Sequence, residues 1–226
     1  CTPSHPGAEG TNRPVLQWAR ETGSPVKGVK PMTAKEFYGT DWKTMDQARN
    51  QVLQAIRAGQ RRPRRPGAVL YTTSRIKSPE SACRKLRQRG LPATAQAALT
   101  RIRDAVGVRV ICAFQDDVYQ MAQYLEERPE FAVLQTKDYI SRPKENGYRS
   151  YHLILGILDG PGKGMTVEVQ LRTIAIDCWA SLEHQIKYKR RVPHEHLVRE
   201  ELKRCADEIA SVDLSMETIR ELLNGA

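Results

Sequence analysis

Two neighbouring stretches constrain this chain more than any other part of it: residues 151–158 (YHLILGIL) and 165–173 (MTVEVQLRT), joined by the short turn DGPGKG. A turn that short between two strand-like runs makes an antiparallel hairpin. The first run is apolar on both faces, which suits the interior of a sheet rather than its edge. The second alternates, with Val167, Val169 and Leu171 on one side and Glu168, Gln170 and Arg172 on the other. An acid, an amide and a guanidinium in line on an interior strand do not belong in a core. Such a row lines a site.

Further strand-like runs lie at residues 68–75 (AVLYTTSR), 106–114 (VGVRVICAF) and 131–139, all rich in β-branched and aromatic residues. Helical patterns separate and follow them. Residues 41–60 carry Met45, Ala48, Val52, Ala55 and Ile56 on one stripe, behind a capping Asp41, and RRPRRPG stops them. Ser78 and Pro79 open a second helix that closes before Gly90. Residues 93–103, 116–127 and 174 to about 189 read as helices, with a break near Pro193. Residues 194–223 read as one long helix or two. Its Leu197, Leu202, Ile209, Val212, Leu214, Ile219 and Leu222 recur at mostly helical spacing, a stripe that reads first as intrachain core. The expected fold class is α/β (α+β): a mixed sheet of about five strands flanked by helices. Residues 1–32, rich in Pro, Gly, Ser and Thr, read as a flexible leader or linker, and residues 33–226 as one domain with terminal helices.

Charge narrows the ligand class. The net charge is +10, yet residues 61–109 hold thirteen of the 36 Lys and Arg and only two acids, Glu80 and Asp104. The whole excess therefore sits in one block, which suits a polyanion: nucleotide phosphates or nucleic acid. Composition does not separate the two. The longest apolar run, residues 153–158, is far short of the ~20 residues a membrane-spanning helix needs. Five widely spread cysteines without a Cys-x-x-Cys pair argue against a disulfide framework or a cysteine zinc site, and for a reducing, cytoplasmic setting. No G-x-x-x-x-G-K-[ST] loop is present; the glycines at 160, 162 and 164 read as a hairpin turn, and His194 and His196 as surface residues.

Several residues could carry chemistry. Arg75 and Lys77 share a face at a strand end, and Ser81 and Lys85 share a face of the helix that follows. A strand end feeding a helix N-terminus suits phosphate. Asp104 is an acid among cations, followed by Gly107 and Arg109. Together with Glu168 it could hold one Mg²⁺, which takes one or two carboxylates plus phosphate oxygens. Lys144, Tyr148, Arg149 and His152 crowd around Gly147 in a polar loop. There Tyr148 could stack on a base while the cations meet phosphate or ribose.

Taken in order, R-x-K-S-x-x-S-x-x-x-K (75–85), D-x-x-G-x-R (104–109), DYISRPKENGYRSYH (138–152) and VEVQLRTIAIDCWASLEHQIKYK (167–189) resemble the synthetase domain of the RelA/SpoT-type family. The WASLEH wording is nearest to the small alarmone synthetases. The resemblance implies a nucleotidyltransferase-like fold and transfer of pyrophosphate from ATP to the 3′-hydroxyl of GTP or GDP, giving (p)ppGpp and AMP with Mg²⁺. It implies that Arg75 and Arg109 sandwich adenine and that Lys77, Ser81 and Lys85 hold ATP phosphates. Asp104 and Glu168 become the catalytic, metal-binding carboxylates. Tyr148 stacks on guanine, Lys144, His152 and Gln170 contact the acceptor, and Asp177 faces the acceptor base. The His-Asp motif of the family's hydrolase domain is absent from this sequence, so synthesis without hydrolysis is expected. Small alarmone synthetases are often homotetramers built through terminal helices, so oligomerisation is expected too. Two other readings stay open: a toxic relative acting on adenosine nucleotides or the tRNA 3′ end, and a non-enzymatic RNA-binding module.

Overall fold

The computed structural model describes residues 32–61, 69–188 and 194–225. The leader reading and the break near Pro193 fall outside these residues. Five strands, β1 (Val69–Ile76), β2 (Val106–Cys112), β3 (Phe131–Asp138), β4 (Tyr151–Ile157) and β5 (Thr166–Thr173), form one mixed sheet in the order β1-β2-β5-β4-β3. The β4–β5 hairpin is antiparallel as expected, and β2–β5 is the one parallel pair in the sheet. The alternating strand is the middle one, with the apolar strand beside it.

Burial explains why the sheet cannot sit otherwise. Val106, Val108, Val110, Val167, Val169, Leu171, Leu153 and Leu155 are all buried and point to one face. They pack there under α2 (Asp41–Gln60) and α5 (Gln115–Glu126), whose Met45, Val52, Ile56, Val118, Met121 and Leu125 belong to the same core. Each such side chain contributes roughly 1.5–3 kcal/mol. Slipping β5 by one residue would exchange that set for Glu168, Gln170 and Arg172. The packing therefore fixes the register, and the register fixes the polar row on the other face.

The hairpin turn is structural, as read. Gly162 lies against α2, where an added Cβ would come within 2.3 Å of the Ala48 Cα. Gln51 of the same helix donates to the Asp159 carbonyl and accepts from the Gly162 amide. Helix α4 is shorter than its pattern, Ala95–Arg101, because Thr94 caps it. A short helix α1 (Ala34–Tyr38), closed by a Thr33–Glu36 capping box, precedes α2 and was not expected from periodicity.

Helix α6 (Ile174–Tyr188) leads from β5, and α7 (Glu195–Asn224) is one helix, not two. Asp213 and Glu217 of α7 are buried against the end of β5 and the start of α5. Thr173 donates to Asp213 at 2.6 Å, and Glu217 accepts from the Asp116 amide, capping α5 where Phe114 offers no side-chain cap. The intrachain-core reading of the α7 stripe is corrected: Leu202 and Ile209 are partly buried, but Val212, Ile219 and Leu222 are 60%, 50% and 70% exposed, and Leu197 and Leu214 also face outward. The inward face of α7 is apolar where Leu202, Ala206 and Ile209 pack with Trp179, and polar beyond, where Asp213 and Glu217 meet the Thr173 hydroxyl, the Asp116 amide and Arg220.

Candidate active site

Cross-strand register sets the site in rows. Residues paired across strands share a face, so Arg75, Gly107 and Glu168 form one row, and Thr73, Arg109, Gln170 and His152 the next. Gly107 contributes no side chain, leaving the floor between Arg75 and Glu168 to backbone. Tyr71 and Arg172 lie in a third row, on either side of Ile111.

The phosphate-type cations meet the first carboxylate. Ser78 caps α3 (Pro79–Gln88) by accepting from the Ser81 amide, which fixes the turn after β1. Lys77, just before that turn, and Lys85, nearly two turns into the helix, both reach Asp104 Oδ2, at 3.0 and 2.7 Å. Ser81 is buried between them in sequence and accepts from Arg84. Burial pushes the Asp104 carboxyl up, but the two ammonium groups outweigh it and hold the group below its ordinary range. Asp104 Oδ1 is buried without a hydrogen-bond partner. An orphaned carboxylate oxygen in a site with a second acid is what a hard divalent cation needs.

The second carboxylate belongs to a relay. Arg172 Nη2 donates to the Tyr148 hydroxyl at 2.9 Å, and that hydroxyl lies 2.9 Å from His152 Nε2. His152 Nδ1 is 3.4 Å from Glu168 Oε1, and Gln170 Nε2 donates to Glu168 Oε2 at 2.9 Å. Tyr148 accepts from Arg172, so its own proton is available to Nε2. The His152 ring thus bridges that hydroxyl and the Glu168 carboxylate. Burial raises the Glu168 carboxyl and the Asp104 charge raises it further, but the contacts from His152 and Gln170 prevail and keep it below the usual range. Asp104 and Glu168, separated by 64 positions in sequence, thus feel each other's charge.

The acceptor-type loop is anchored to the C-terminal helices. Gly147 closes a turn on Lys144, and Lys144 Nζ sits 4.7 Å from the Tyr139 ring centroid and 4.9 Å from that of Tyr148. Arg149 ties the loop down through the Gly147 and Ala206 carbonyls and Asp207. Asn146 reaches Glu183 of α6. Gly147 has φ +84°, and an added Cβ would fall 2.6 Å from the Ala206 Cβ. Gly147→Ala should therefore lower folding stability by about 1–3 kcal/mol, read by denaturant melts, and displace Tyr148.

Asp177 in the first turn of α6 accepts from Arg109 Nη1 at 3.1 Å, Arg172 Nη1 at 2.9 Å and the Tyr71 hydroxyl at 3.2 Å. Burial and the nearby Arg172 pull the Arg109 guanidinium down to about 10, still protonated at neutral pH. All twelve residues picked from the sequence lie on this sheet face or on the turns and helices that border it. Sequence reasoning saw Arg172 only as part of an alternating row, not as the link between Tyr148 and Asp177. It missed Tyr71, which no local pattern marks, and Tyr139 beside Lys144.

Comparisons with known proteins agree with this geometry. Residues 74–192 match the family described as the region found in RelA / SpoT proteins. The chain is 39% identical over 156 residues to the GTP pyrophosphokinase YwaC of Bacillus subtilis, covering 68% of this chain and 74% of that protein. It is 34% identical over 156 residues to the GTP pyrophosphokinase YjbM of the same organism, covering 67% and 72%. Among solved structures, the fold is similar to small alarmone synthetase 1 of Bacillus subtilis bound to its product pppGpp, with a TM-score of 0.68 and 31% identity, over 80% of this chain and 95% of that one. Small alarmone synthetase 2 of that organism gives a TM-score of 0.71 and 33% identity, over 80% and 98%. With the four motifs on one sheet face and relatives of this kind over most of the described fold, the chain belongs to the RelA/SpoT family, on its small alarmone synthetase branch.

Proposed function

We propose that this chain transfers the β,γ-pyrophosphate of ATP to the 3′-hydroxyl of GTP or GDP, releasing AMP. The observation that carries the reading is the placement of Asp104, beneath two lysines, within electrostatic reach of Glu168, at the end of the Tyr148–His152 relay. Glu168 takes the proton from the 3′-hydroxyl; the new bond joins that oxygen to the β-phosphorus as the bond from the β-phosphorus to the α-phosphate oxygen breaks. His152 and Gln170 keep Glu168 ionised and aimed. Lys77, Lys85 and Ser81 hold the donor phosphates, Arg75 and Arg109 the adenine, and Tyr148 the acceptor base, with Lys144 against acceptor phosphate. Chemistry of this kind rests on positioning and charge neutralisation. The donor set at Asp104 and Glu168 fits Mg²⁺, which would supply charge neutralisation at the phosphates.

The test supplies labelled ATP with GDP, GTP, ATP or tRNA separately. Label moving to GDP or GTP with stoichiometric AMP is the expected result; label moving to adenosine nucleotides or tRNA instead reassigns the acceptor, and RNA binding without AMP makes the chain a binding module. ATP, GTP and free thiols coexist in the cytoplasm, where we place the chain; among the described residues no helix is long and apolar enough to cross a membrane. We also propose a homo-oligomer, supported by the exposed α7 residues Val212, Met216, Ile219 and Leu223, which follow one another at helical spacing. Light scattering should give a mass above one chain, and Ile219→Lys should lower it; a monomeric wild type removes the assembly.

A further inference from the structure

We propose that Tyr38, at the end of the short helix α1, is a positioning residue for the ATP side of the site: its hydroxyl holds the backbone of Lys77 and so sets where that lysine's ammonium stands. This rests on the reading of Lys77 as a donor-phosphate ligand. It brings into the site a segment well outside residues 74–192, the stretch that carries the family match. Tyr38 is 2% exposed, and its hydroxyl donates to the Lys77 carbonyl at 3.1 Å, across 39 positions of sequence. Burial first, and then the nearby Asp104 charge, push the phenol above its ordinary value. It therefore keeps its proton, and its role as donor, at neutral and mildly alkaline pH.

Lys77 falls in a gap between two regular elements. Strand β1 ends at Ile76, and the helical ladder of α3 starts at the Ser78 carbonyl, which accepts from the Ala82 amide. The Lys77 carbonyl belongs to neither, and the Tyr38 hydroxyl supplies its donor. The Lys77 amide donates at 2.8 Å to the carbonyl of Ala105, the residue after Asp104. Its ammonium reaches Asp104 Oδ2. The residue is thus held at both ends of its backbone, and only one of those holds comes from the sheet. Without the hydroxyl, a buried carbonyl loses its donor, and the Lys77–Ser78 peptide gains by turning to find another. That turn displaces the lysine side chain and the start of α3, with Ser81 behind it. Helix α1 is suited to the task because it is itself fixed. The Phe37 ring meets the Tyr38 ring edge-on at 4.9 Å, and α1 packs against α2 and against α4, the helix that leads to Asp104.

The experiment measures AMP release by the full chain with Mg²⁺, varying ATP at saturating GDP and then GDP at saturating ATP, alongside titration calorimetry with an α,β-methylene ATP analogue and melting curves. Tyr38→Phe, which removes one hydroxyl and keeps the ring, should weaken the analogue and lower kcat/KM for ATP by about fivefold, with KM for GDP within about twofold. Phe37→Leu, which thins the packing of α1 and leaves the hydroxyl, should lower the melting temperature while KM for ATP stays within about twofold. In a Lys77→Met background, Tyr38→Phe should weaken the analogue no further, because the hydroxyl acts through that lysine. Equal losses for ATP and GDP in Tyr38→Phe, or no loss for either, overturn the proposal. So does a Phe37→Leu chain as poor toward ATP as Tyr38→Phe, or a full additive loss in the double variant. A wild-type chain that releases no AMP sinks the pyrophosphokinase reading and this proposal with it; an active wild type whose variants show the wrong pattern sinks only the role of Tyr38.

Discussion

Glu168→Gln is expected to leave the fold intact and to cut turnover by about 10²–10⁴-fold, the range for loss of a positioned general base. The substitution keeps the volume of the side chain and one oxygen for Gln170 Nε2 to donate to. It removes the negative charge that His152 Nδ1 faces at 3.4 Å and, in the proposed mechanism, the group that accepts the substrate proton. The pH profile gives a second signature. Burial alone would make Glu168 a weak acid, but His152 and Gln170 hold it below the ordinary carboxylate range, so it is ionised throughout neutral pH. The wild-type rate should therefore fall only as pH drops through that depressed value, and the glutamine variant should lack that acid limb. AMP release followed across pH, with melting curves to check folding, reads both effects. A variant that releases AMP at near wild-type rates removes Glu168 from the chemistry.

Much of this was legible in the sequence for a definite physical reason. Strand β5 alternates with period two, and only one register buries Val167, Val169 and Leu171, so the Glu168–Gln170–Arg172 row could be placed before any coordinates. Ser78-Pro79 announced the helix start, and the structure places that cap where the spacing put it. The α7 stripe misled, because helical spacing reports an apolar face but not what covers it. In the fold the C-terminal half of that helix docks through Asp213, Glu217 and Arg220, polar groups whose partners are a buried hydroxyl, a helix N-terminus and Asp117. Those partners lie about a hundred residues away or belong to another strand, and no local pattern encodes them. The engagement of Asp177 by Arg109, Arg172 and Tyr71 was not legible either, because it follows from the order in which β1, β2 and β5 assemble.

Asp104→Asn should cost both activity and stability, and the two losses separate by pH. The carboxylate sits under Lys77 and Lys85, with its side chain 16% exposed, between the surface and fully buried cases. Removing its charge leaves a buried ammonium at Lys77 facing a neutral amide, for a loss of about 1–3 kcal/mol, or roughly 3–10 °C in melting temperature. Under the proposed function turnover should fall about 10²–10³-fold, because Lys77 and Lys85 lose the carboxylate that orients them. Asp104 is held below its unfolded value by the two lysines, working against burial. The stability it contributes is therefore fully present above the unfolded carboxylate pKa of about 3.9 and drains away as pH falls through the folded value. The melting gap between wild type and Asp104→Asn should be full at neutral pH and narrow in acid, while the activity gap at neutral pH stays with the missing carboxylate. Calorimetric melts across pH test this directly. A gap that persists unchanged in acid would mean the loss comes from packing rather than charge, and Asp104 would then have no claim to organise Lys77 and Lys85.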